Sequence, residues 1–372
     1  MSPRVPLLDL AAEYRALRAD IDAAVARVVD RTAFIGGEEV SAFEQEFARY
    51  LEVPHVVGVA NGTDALELAL QALGVGAGDA VLTVPFTFAA PLEAIVRAGA
   101  TPLLADIGED FTLDVDAAAA VLARQRVKAI IAVHLYGHPA DLDRLLPLAR
   151  AHGAALIEDA AQAHGAFCTV GGRRRRVGSV GDVACFSFYP TKNLGAMGDA
   201  GALATSRADL AERARLFANH GEARKYEHSV PNGRNSRLDA VQAAVLRVKL
   251  PHLDAWNRAR RAAAARYTAD LTDLPLRLPL ERPGATSVYH QYAVRTSQRG
   301  RLQHALAERD VSTAIHYPHP LHAQEGFRHL GYAVGSLPMS ERCAAEVLSL
   351  PMSPFLSDEQ IAHVITSVRS AM

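Results

Sequence analysis

Short apolar runs alternate with amphipathic segments through the first half of the chain. Helical spacing of apolar residues fills the segments between the runs, for example residues 64–73 and 142–152. The strand-length runs are residues 56–60, 80–84, 101–105, 129–133 and 154–158, with two more at 183–188 and 201–205. Strands that alternate with helices build a mostly parallel sheet with helices on both faces. We therefore predict an α/β fold.

The C-terminal third has a different pattern. Helical spacing dominates residues 236–271, and the proline-rich stretch 275–283 then interrupts the chain. A strand is expected over residues 289–295, and helices over residues 301–309, 341–348 and 358–370. This mixture predicts a smaller α+β domain at the C-terminus. A chain of 372 residues suits two domains, and we place them at 1–252 and 253–372.

Composition argues against several classes of protein. Lys and Arg number 39 against 41 Asp and Glu, a balance that disfavours a dedicated nucleic-acid-binding protein. The three cysteines, Cys168, Cys185 and Cys343, are far apart, so neither a disulfide framework nor a zinc site is expected. No apolar run approaches the ~18 residues of a membrane span. With no apolar core for a signal peptide near the N-terminus, we expect a cytoplasmic protein without a membrane segment.

Two further clusters have simple interpretations. The run Arg173–Arg176 lies between Gly171-Gly172 and Gly178, and we expect a solvated hairpin tip there. Attraction of a nucleotide phosphate is the alternative. His316 and His319 lack carboxylates nearby, so no metal site is expected.

Asn61-Gly62-Thr63-Asp64 follows a predicted strand and opens a helix. Glycine lets the backbone approach a ligand closely, and the first N–H groups of a helix have no internal partner. Such a turn can bind a phosphate. An ordinary strand–helix turn has the same composition, so this motif alone leaves both interpretations open.

Two charged residues follow other predicted strands. Asp159 comes at the end of the run at 154–158, where functional carboxylates gather in parallel sheets, although an aspartate there could also cap a helix. Lys192 follows the run at 183–188 and a loop that contains Pro190. Most lysines are solvated, but one that points into a crevice at a strand end can have a lowered pKa and form a Schiff base.

Together these segments resemble the DegT family of pyridoxal-phosphate-dependent sugar aminotransferases, which have the aspartate-aminotransferase type of fold. The resemblance extends from residue 5 to the C-terminus. It rests on four motifs in the expected order, at residues 61–63, 158–165, 186–192 and 235–239. The activity it implies is transfer of an amino group onto a keto-sugar attached to a nucleotide.

The resemblance implies roles around the reactive end of the cofactor, pyridoxal phosphate. Lys192 would bind the cofactor covalently and then move a proton between the cofactor and the sugar. Asp159 would pair with the pyridine nitrogen, so that the ring acts as an electron sink. Gln162 would contact the ring hydroxyl, and Phe88 would stack on the ring face.

The resemblance also implies how the cofactor phosphate is bound. Gly62 and Thr63 would offer backbone N–H groups, and Ser187 would add its hydroxyl. Asn235 would reach the phosphate of the neighbouring subunit's cofactor, which makes a homodimer with shared active sites the smallest active unit. A cap for a helix beginning near residue 236 is the alternative role for Asn235.

Five residues are expected to bind substrate by the same resemblance. Tyr189, His316 and Tyr317 would lie near the sugar. His220 and Tyr226 would come from the segment that approaches the partner's site. For Tyr189 and Tyr317, the alternative is packing in the core with a hydrogen-bonded hydroxyl.

Several relatives with other activities remain as alternatives. Related dehydratases carry histidine in place of the lysine, so Lys192 disfavours that activity. A non-catalytic regulatory protein is disfavoured by the complete set of cofactor residues. The run from Tyr189 to Gly201 resembles enzymes that aminate C-3 of the sugar, whereas C-4 enzymes carry Glu-Gly-Gly in the region that Asp199 and Ala200 occupy here. C-3 is therefore favoured over C-4, a keto-cyclitol acceptor stays open, and glutamate is the expected amino donor.

Overall fold

The structure, a computed structural model, describes residues 3–372. Its helices are Leu10–Asp30 (α1), Gly37–Leu51 (α2), Gly62–Ala72 (α3), Ala90–Arg97 (α4), Val115–Leu122 (α5), Leu142–Ala151 (α6), Ala208–Ala218 (α7), Ala240–Lys249 (α8), Leu253–Leu271 (α9), Arg299–Ala307 (α10), Pro338–Glu346 (α11) and Asp358–Ala371 (α12). Its strands are His55–Val59 (β1), Ala80–Thr83 (β2), Thr101–Leu104 (β3), Ala129–Val133 (β4), Ala155–Asp159 (β5), Phe167–Val170 (β6), Arg173–Arg176 (β7), Val183–Ser187 (β8), Gly201–Thr205 (β9), Glu222–Arg224 (β10), Glu227–His228 (β11), Tyr292–Arg295 (β12) and Val347–Leu350 (β13).

Seven strands form the central sheet, in the order β1-β9-β8-β5-β4-β2-β3. Strands β8, β5, β4, β2 and β3 pair in parallel, and β9 is antiparallel to both of its neighbours. Strand β1 therefore runs in the same direction as the parallel set. The predicted α/β fold with a mostly parallel sheet is confirmed. As a consequence, the C-terminal ends of β1, β2, β4, β5 and β8 meet at one edge.

Helices cover both faces of this sheet because successive strand residues point to opposite sides. In β8, the side chain of Cys185 joins an apolar cluster that includes residues of α3, α4, α6 and α7. Its neighbours Ala184 and Phe186 join a second cluster, with residues of α2 and α8. Phe47 of α2 packs edge-on against Phe186, with ring centroids 5.0 Å apart.

A third apolar cluster gathers residues of α9, β12, α10, β13 and α12. Val5 is fully buried in the same cluster, and its backbone bonds to Asp310 and Ser312 at 2.9 Å each. The N-terminal residues thus pack on the C-terminal third of the chain. The division of the chain at residues 252 and 253 stays a prediction.

Three predicted elements differ from the structure. The helix predicted over residues 341–348 ends at Glu346, because Val347 takes an extended conformation and begins β13, which pairs with β12. The strand predicted from residue 289 starts only at Tyr292. The continuous helical pattern of residues 236–271 is two helices, since Pro251 lies in the turn between them and lacks the N–H that a helix needs.

Arg173–Arg176 lie in a hairpin and Arg173, Arg174 and Arg175 are exposed, as predicted, but these residues do not form the tip. These residues form strand β7, paired with β6, and the tip is Gly171-Gly172. Alternate residues of the strand share one face, so the guanidinium groups of Arg174 and Arg176 lie 3.5 and 4.5 Å from the ring centroid of Phe167. Contacts of the guanidinium groups with this ring, on the neighbouring strand, therefore stabilise the charged run as a strand.

The loop between β7 and β8 is held by a buried carboxylate. Glu158 of β5 is fully buried and accepts hydrogen bonds from the backbone N–H groups of Gly178, Val180 and Gly181 at 2.7 to 2.8 Å. His134 Nε2 lies 3.2 Å from the same carboxylate. Burial alone would raise the pKa of Glu158, but these hydrogen bonds and the imidazole outweigh it and lower the pKa.

The tautomer of His134 follows from its other contact. The Ala140 N–H donates to His134 Nδ1 at 2.8 Å, so Nδ1 is an acceptor and Nε2 carries the proton that is donated to Glu158. A neutral imidazole can therefore satisfy both partners. This contact also links the end of β4 to β5.

We predict that Glu158→Gln lowers the free energy of unfolding by about 3 kcal/mol near neutral pH, because an amide NH₂ would then face buried N–H donors. The folded-state pKa of Glu158 lies below its ordinary value of 4.5, so its contribution is present above that pH and is lost as the pH falls through the folded-state pKa. The difference from wild type should therefore narrow below pH 4.5. Urea unfolding at several pH values measures it.

Glu38→Gln is the matched control. Glu38 is exposed and pairs with Arg31 at the surface, so its loss should change stability by no more than about 0.5 kcal/mol. Equal effects of the two substitutions would contradict the importance of the buried network.

Candidate active site

A cavity of about 710 Å³ opens at the edge of the sheet where β1, β4, β5 and β8 end. Nine of the residues expected to bind cofactor or substrate line it: Gly62, Thr63, Phe88, Asp159, Gln162, Ser187, Tyr189, Lys192 and Tyr317. The parallel sheet thus brings together side chains that are up to 255 positions apart in the sequence.

The N-terminus of α3 forms one wall of the cavity. Asn61 caps the helix by accepting a hydrogen bond from the Asp64 N–H at 2.8 Å, while Gly62 and Thr63 occupy the first two positions, whose N–H groups have no partner within a helix. A Cβ on Gly62 would lie 2.6 Å from the Ser187 Cβ. Glycine is therefore required for α3 to start this close to the end of β8, where the Ser187 hydroxyl adds a third donor.

Asp159 ends β5 and is 6% exposed. Its Oδ1 accepts a hydrogen bond from the Ala161 N–H at 3.1 Å, a turn contact, and no helix follows that it could cap. Burial raises the pKa of Asp159, and the Ala161 N–H and the charge of Lys192 oppose that shift only in part. The carboxylate is therefore under-compensated and suits a cationic partner in the cavity.

Lys192 lies in the loop that leaves β8, and its backbone N–H bonds to the Tyr189 carbonyl at 2.8 Å. Removal of its amine from water lowers the pKa of Lys192 to about 8, against the attraction of Asp159. At pH 7 this shift raises the deprotonated fraction of the amine from roughly 0.03% to roughly 10%. Lys192 is therefore suited to act as a nucleophile or base.

Gln162 connects the Asp159 turn to the opposite wall. Its Oε1 accepts the Tyr136 N–H at 2.6 Å, and the Tyr136 hydroxyl donates to the His316 carbonyl. His316 precedes Tyr317, which lines the cavity with its ring centroid 6.2 Å from that of Phe88. Two aromatic rings thus stand at the mouth of the site.

This set of groups fits pyridoxal phosphate. The unpaired N–H groups of Gly62 and Thr63, with the Ser187 hydroxyl, suit a phosphate. A buried carboxylate, Asp159, suits a protonated ring nitrogen, and the amine of Lys192 suits the aldehyde carbon. All of these groups line the same cavity.

Within the described part of the chain, four expected site residues do not line the cavity. They are Asn235, His220, Tyr226 and His316. The first three are exposed, and Tyr226 is 78% exposed in the hairpin of β10 and β11. The residue that precedes α8 is Asp239, so Asn235 does not cap that helix. His316 is half-buried, with Nδ1 2.9 Å from the Ser349 hydroxyl. The roles of all four stay predictions.

The cavity also contains residues that sequence reasoning missed, among them Thr87, Glu93, Arg97 and His134. His134 could have been found, because it directly follows the apolar run of β4, as Asp159 does for β5. Glu93 and Arg97 face the cavity from the first and last turns of α4, and no local motif marks them.

Comparison with known proteins agrees with this geometry. Residues 15–369 match the DegT/DnrJ/EryC1/StrS aminotransferase family. A dTDP-3-amino-3,4,6-trideoxy-alpha-D-glucose transaminase of Streptomyces venezuelae is 47% identical over 99% of this chain and 96% of its own length. A UDP-N-acetyl-3-dehydro-alpha-D-glucosamine 3-aminotransferase of Acidithiobacillus ferrooxidans is 44% identical over 99% of this chain and 98% of its own.

A solved structure gives the same result for the fold. The crystal structure of S. venezuelae DesV in complex with a ketimine intermediate superposes with a TM-score of 0.95 at 47% identity and covers 99% of this chain and 98% of the other. The predicted fold type and the pyridoxal phosphate cofactor are thus confirmed. The chain belongs to the DegT/DnrJ/EryC1/StrS aminotransferase family.

Proposed function

We propose that this protein transfers an amino group from glutamate to C-3 of a nucleotide-linked keto-sugar. The observation that carries the proposal is the convergence of Lys192, Asp159 and the N-terminus of α3 on one cavity. The names of two relatives, which act on dTDP- and UDP-linked sugars at C-3, support the substrate class. Asp199, which lines the cavity, belongs to the segment that favours C-3 over C-4.

Pyridoxal phosphate supplies an electron sink for the reaction when it is bound. Asp159 holds a negative charge at the end of β5 and would keep the ring nitrogen protonated by charge attraction. The raised pKa of Asp159 supports this role, since a buried carboxylate that lacks a close cation gains most from one. Gln162, oriented by the Tyr136 N–H, would fix the ring in its plane.

Lys192 would move the proton in both halves of the reaction. An amine with a pKa of about 8 accepts a proton from carbon and returns it at neutral pH without a large loss in either direction. Tyr189 and Tyr317 line the cavity and would orient the sugar ring, whereas Phe88 would stack on the face of the cofactor ring. His316, which does not line the cavity, would help to position Tyr317.

A homodimer would complete each site. His220, Tyr226 and Asn235 are exposed on one segment that lies outside this chain's own cavity, so a partner could receive them. Closed two-fold symmetry then makes two equivalent sites. A keto-cyclitol acceptor and C-4 amination are the alternatives, and they share the same cofactor residues.

We predict that the purified protein, given glutamate and a panel of 3-keto and 4-keto nucleotide sugars and a keto-cyclitol, forms a 3-amino nucleotide sugar. Mass spectrometry and NMR of the product identify the amine and its position. Amination only at C-4, or only of the cyclitol, would replace the proposed substrate.

Lys192→Ala is the control for this assay. It should bind the cofactor non-covalently and form no product. Borohydride should attach the cofactor of the wild-type protein to the peptide that contains Lys192. Attachment to Lys225 or Lys249 would contradict the assignment.

We predict that Asp159→Asn lowers kcat on the order of 100-fold while cofactor affinity changes much less, because the shape is kept and the charge facing the ring is lost. Steady-state kinetics and a cofactor titration measure the two effects. Asp114→Asn is the matched control: it removes a carboxylate at the start of α5 and keeps a good helix cap. Near-normal turnover of Asp159→Asn would rule out the electrostatic role.

We predict that mixed dimers of Lys192→Ala and Asn235→Ala chains regain activity. If the site is shared, a heterodimer holds both defects in one site and leaves the other intact, so the isolated heterodimer should have about half the wild-type activity. Tagged chains purified after subunit exchange allow the measurement. No recovery in a verified heterodimer would show that Asn235 does not act across the interface.

A further inference from the structure

A buried carboxamide lies next to Lys192 in the sequence. Asn193 is 3% exposed and makes three hydrogen bonds with its side chain. Its Nδ2 donates to Asn257 Oδ1 at 2.9 Å and to the Val288 carbonyl at 3.2 Å, and its Oδ1 lies 3.1 Å from His290 Nδ1. Every side-chain atom of Asn193 that can hydrogen-bond therefore has a partner.

These contacts determine the proton position on His290. Because both N–H groups of Asn193 face oxygen acceptors, its oxygen must face His290, and His290 Nδ1 must be the donor. Burial and the nearby charge of Lys192 lower the pKa of His290 well below its ordinary value, so the ring is neutral. The contact is thus a hydrogen bond between neutral groups close to the charge of Lys192.

The network continues to the other side of the active site. Asn257 of α9 accepts from Asn193 with its oxygen and donates with Nδ2 to the His164 carbonyl at 2.8 Å. His164 lies in the loop between β5 and β6 that begins after Asp159. One buried amide, 5% exposed, therefore connects the loop of Lys192 to the loop that follows Asp159.

The space around the Asn257 side chain is also restricted. A Cβ on Gly165 would lie 2.7 Å from Asn257 Nδ2 and 2.4 Å from the Tyr50 hydroxyl. Gly165 also has φ +84°, a conformation that favours glycine. The turn after His164 thus approaches α9 as closely as the backbone allows, which leaves Asn257 little freedom to move.

We propose that Asn193, Asn257 and His290, the Asn193 network, set the position of the Lys192 amine relative to the Asp159 carboxylate. The three are positioning residues, since none of them lines the cavity. The network acts through the backbone of residue 193, whose displacement would move the lysine beside it. The proposal rests on the roles of Lys192 and Asp159 in the proposed function. It adds the hydrogen-bond network that fixes the position of one side chain relative to the other.

The side chains of the network are neutral, and the one charge that contacts them in the described structure is Arg260 of α9, which donates to the His290 backbone carbonyl at 3.4 Å. A lysine or arginine in place of His290 would put a second cation close to Lys192 and favour loss of its proton, whereas a carboxylate would stabilise the charged amine. Neutral amide and imidazole groups fix the loop without changing the charge around Lys192. The amides of Asn193 and Asn257 both donate and accept within the network, which makes it rigid.

The test compares two substitutions at His290. His290→Leu removes the donor to Asn193, and His290→Asn places an amide N–H near the position of Nδ1. A displacement on the order of 1 Å can cost about 100-fold in rate. His290→Leu should therefore lower kcat by about 10- to 100-fold with KM for both substrates changed by less than about 3-fold, and His290→Asn should recover most of the loss.

A second measurement needs no sugar. The visible absorption of the cofactor-loaded protein is titrated with pH, which reports the proton equilibrium at Lys192. His290→Leu should shift the midpoint of this titration from the wild-type value, and His290→Asn should restore it. If His290→Leu does not fold, Asn193→Ala removes the same hydrogen bond from the other side and should give the same shift.

His322→Leu is the matched control, because His322 is also buried but bonds to Glu341 and does not line the cavity. It should leave the titration midpoint at the wild-type value. If folded, cofactor-loaded His290→Leu keeps wild-type kcat and midpoint, the proposal is overturned. An increase in KM alone would also overturn it, since it would indicate substrate binding. If wild type aminates no sugar of the panel, the proposed function fails, whereas the absorption titration still decides the role of the network.

Discussion

The parallel register of three strands is the constraint on which the site depends. Val133 of β4 lies beside Asp159 of β5, and Asp159 lies beside Cys185 of β8, so three strands end within two residues of one another. His134, Asp159 and Ser187 therefore reach the same edge without any special loop. A shift of one residue in the register of β5 would turn the Asp159 side chain to the opposite face of the sheet, away from the cavity. The apolar side chains of β5 would then also face the helices of the opposite layer. The positions of these groups thus depend on core packing. The N-terminus of α3, close to the end of β8, adds the N–H groups that we propose bind the phosphate.

Much of this arrangement could be predicted from local patterns. The apolar runs located all the strands of the central sheet to within one or two residues, and the strand-end positions of Asp159 and Lys192 pointed to the site. The errors have physical causes that lie outside the local sequence. Val347 is extended because Arg295 of β12 pairs with it, and Arg176 is in a strand because Phe167 of β6 lies across from it. These pairings join residues on different strands, which the periodicity of a single segment does not record.

The site shows the same division. Residues of recognisable motifs at strand ends were found, whereas His134 at the end of β4, the residues of α4 and those of the supporting layer were not. Asn257 is an ordinary residue of α9 in the sequence, and its contacts with Asn193 and the His164 carbonyl exist only after α9 packs against two loops. His290 is similar: it precedes β12, and nothing in its neighbours indicates the amide that it faces. A supporting network is built from long-range contacts, so the structure is needed to recognise it.

Two kinds of polar group are buried near the cofactor site, and they do different work. Glu158 carries a charge, and three backbone N–H groups and His134 compensate it within the protein. Asp159, its neighbour in the chain, has one such N–H and a raised pKa. Because adjacent residues of a strand face opposite sides, one carboxylate is satisfied by the fold and the other is left for a ligand. Of two adjacent residues of β5, Glu158 thus serves stability and Asp159 is available for reactivity. The uncompensated carboxylate of Asp159 suits a ligand with a cationic ring nitrogen.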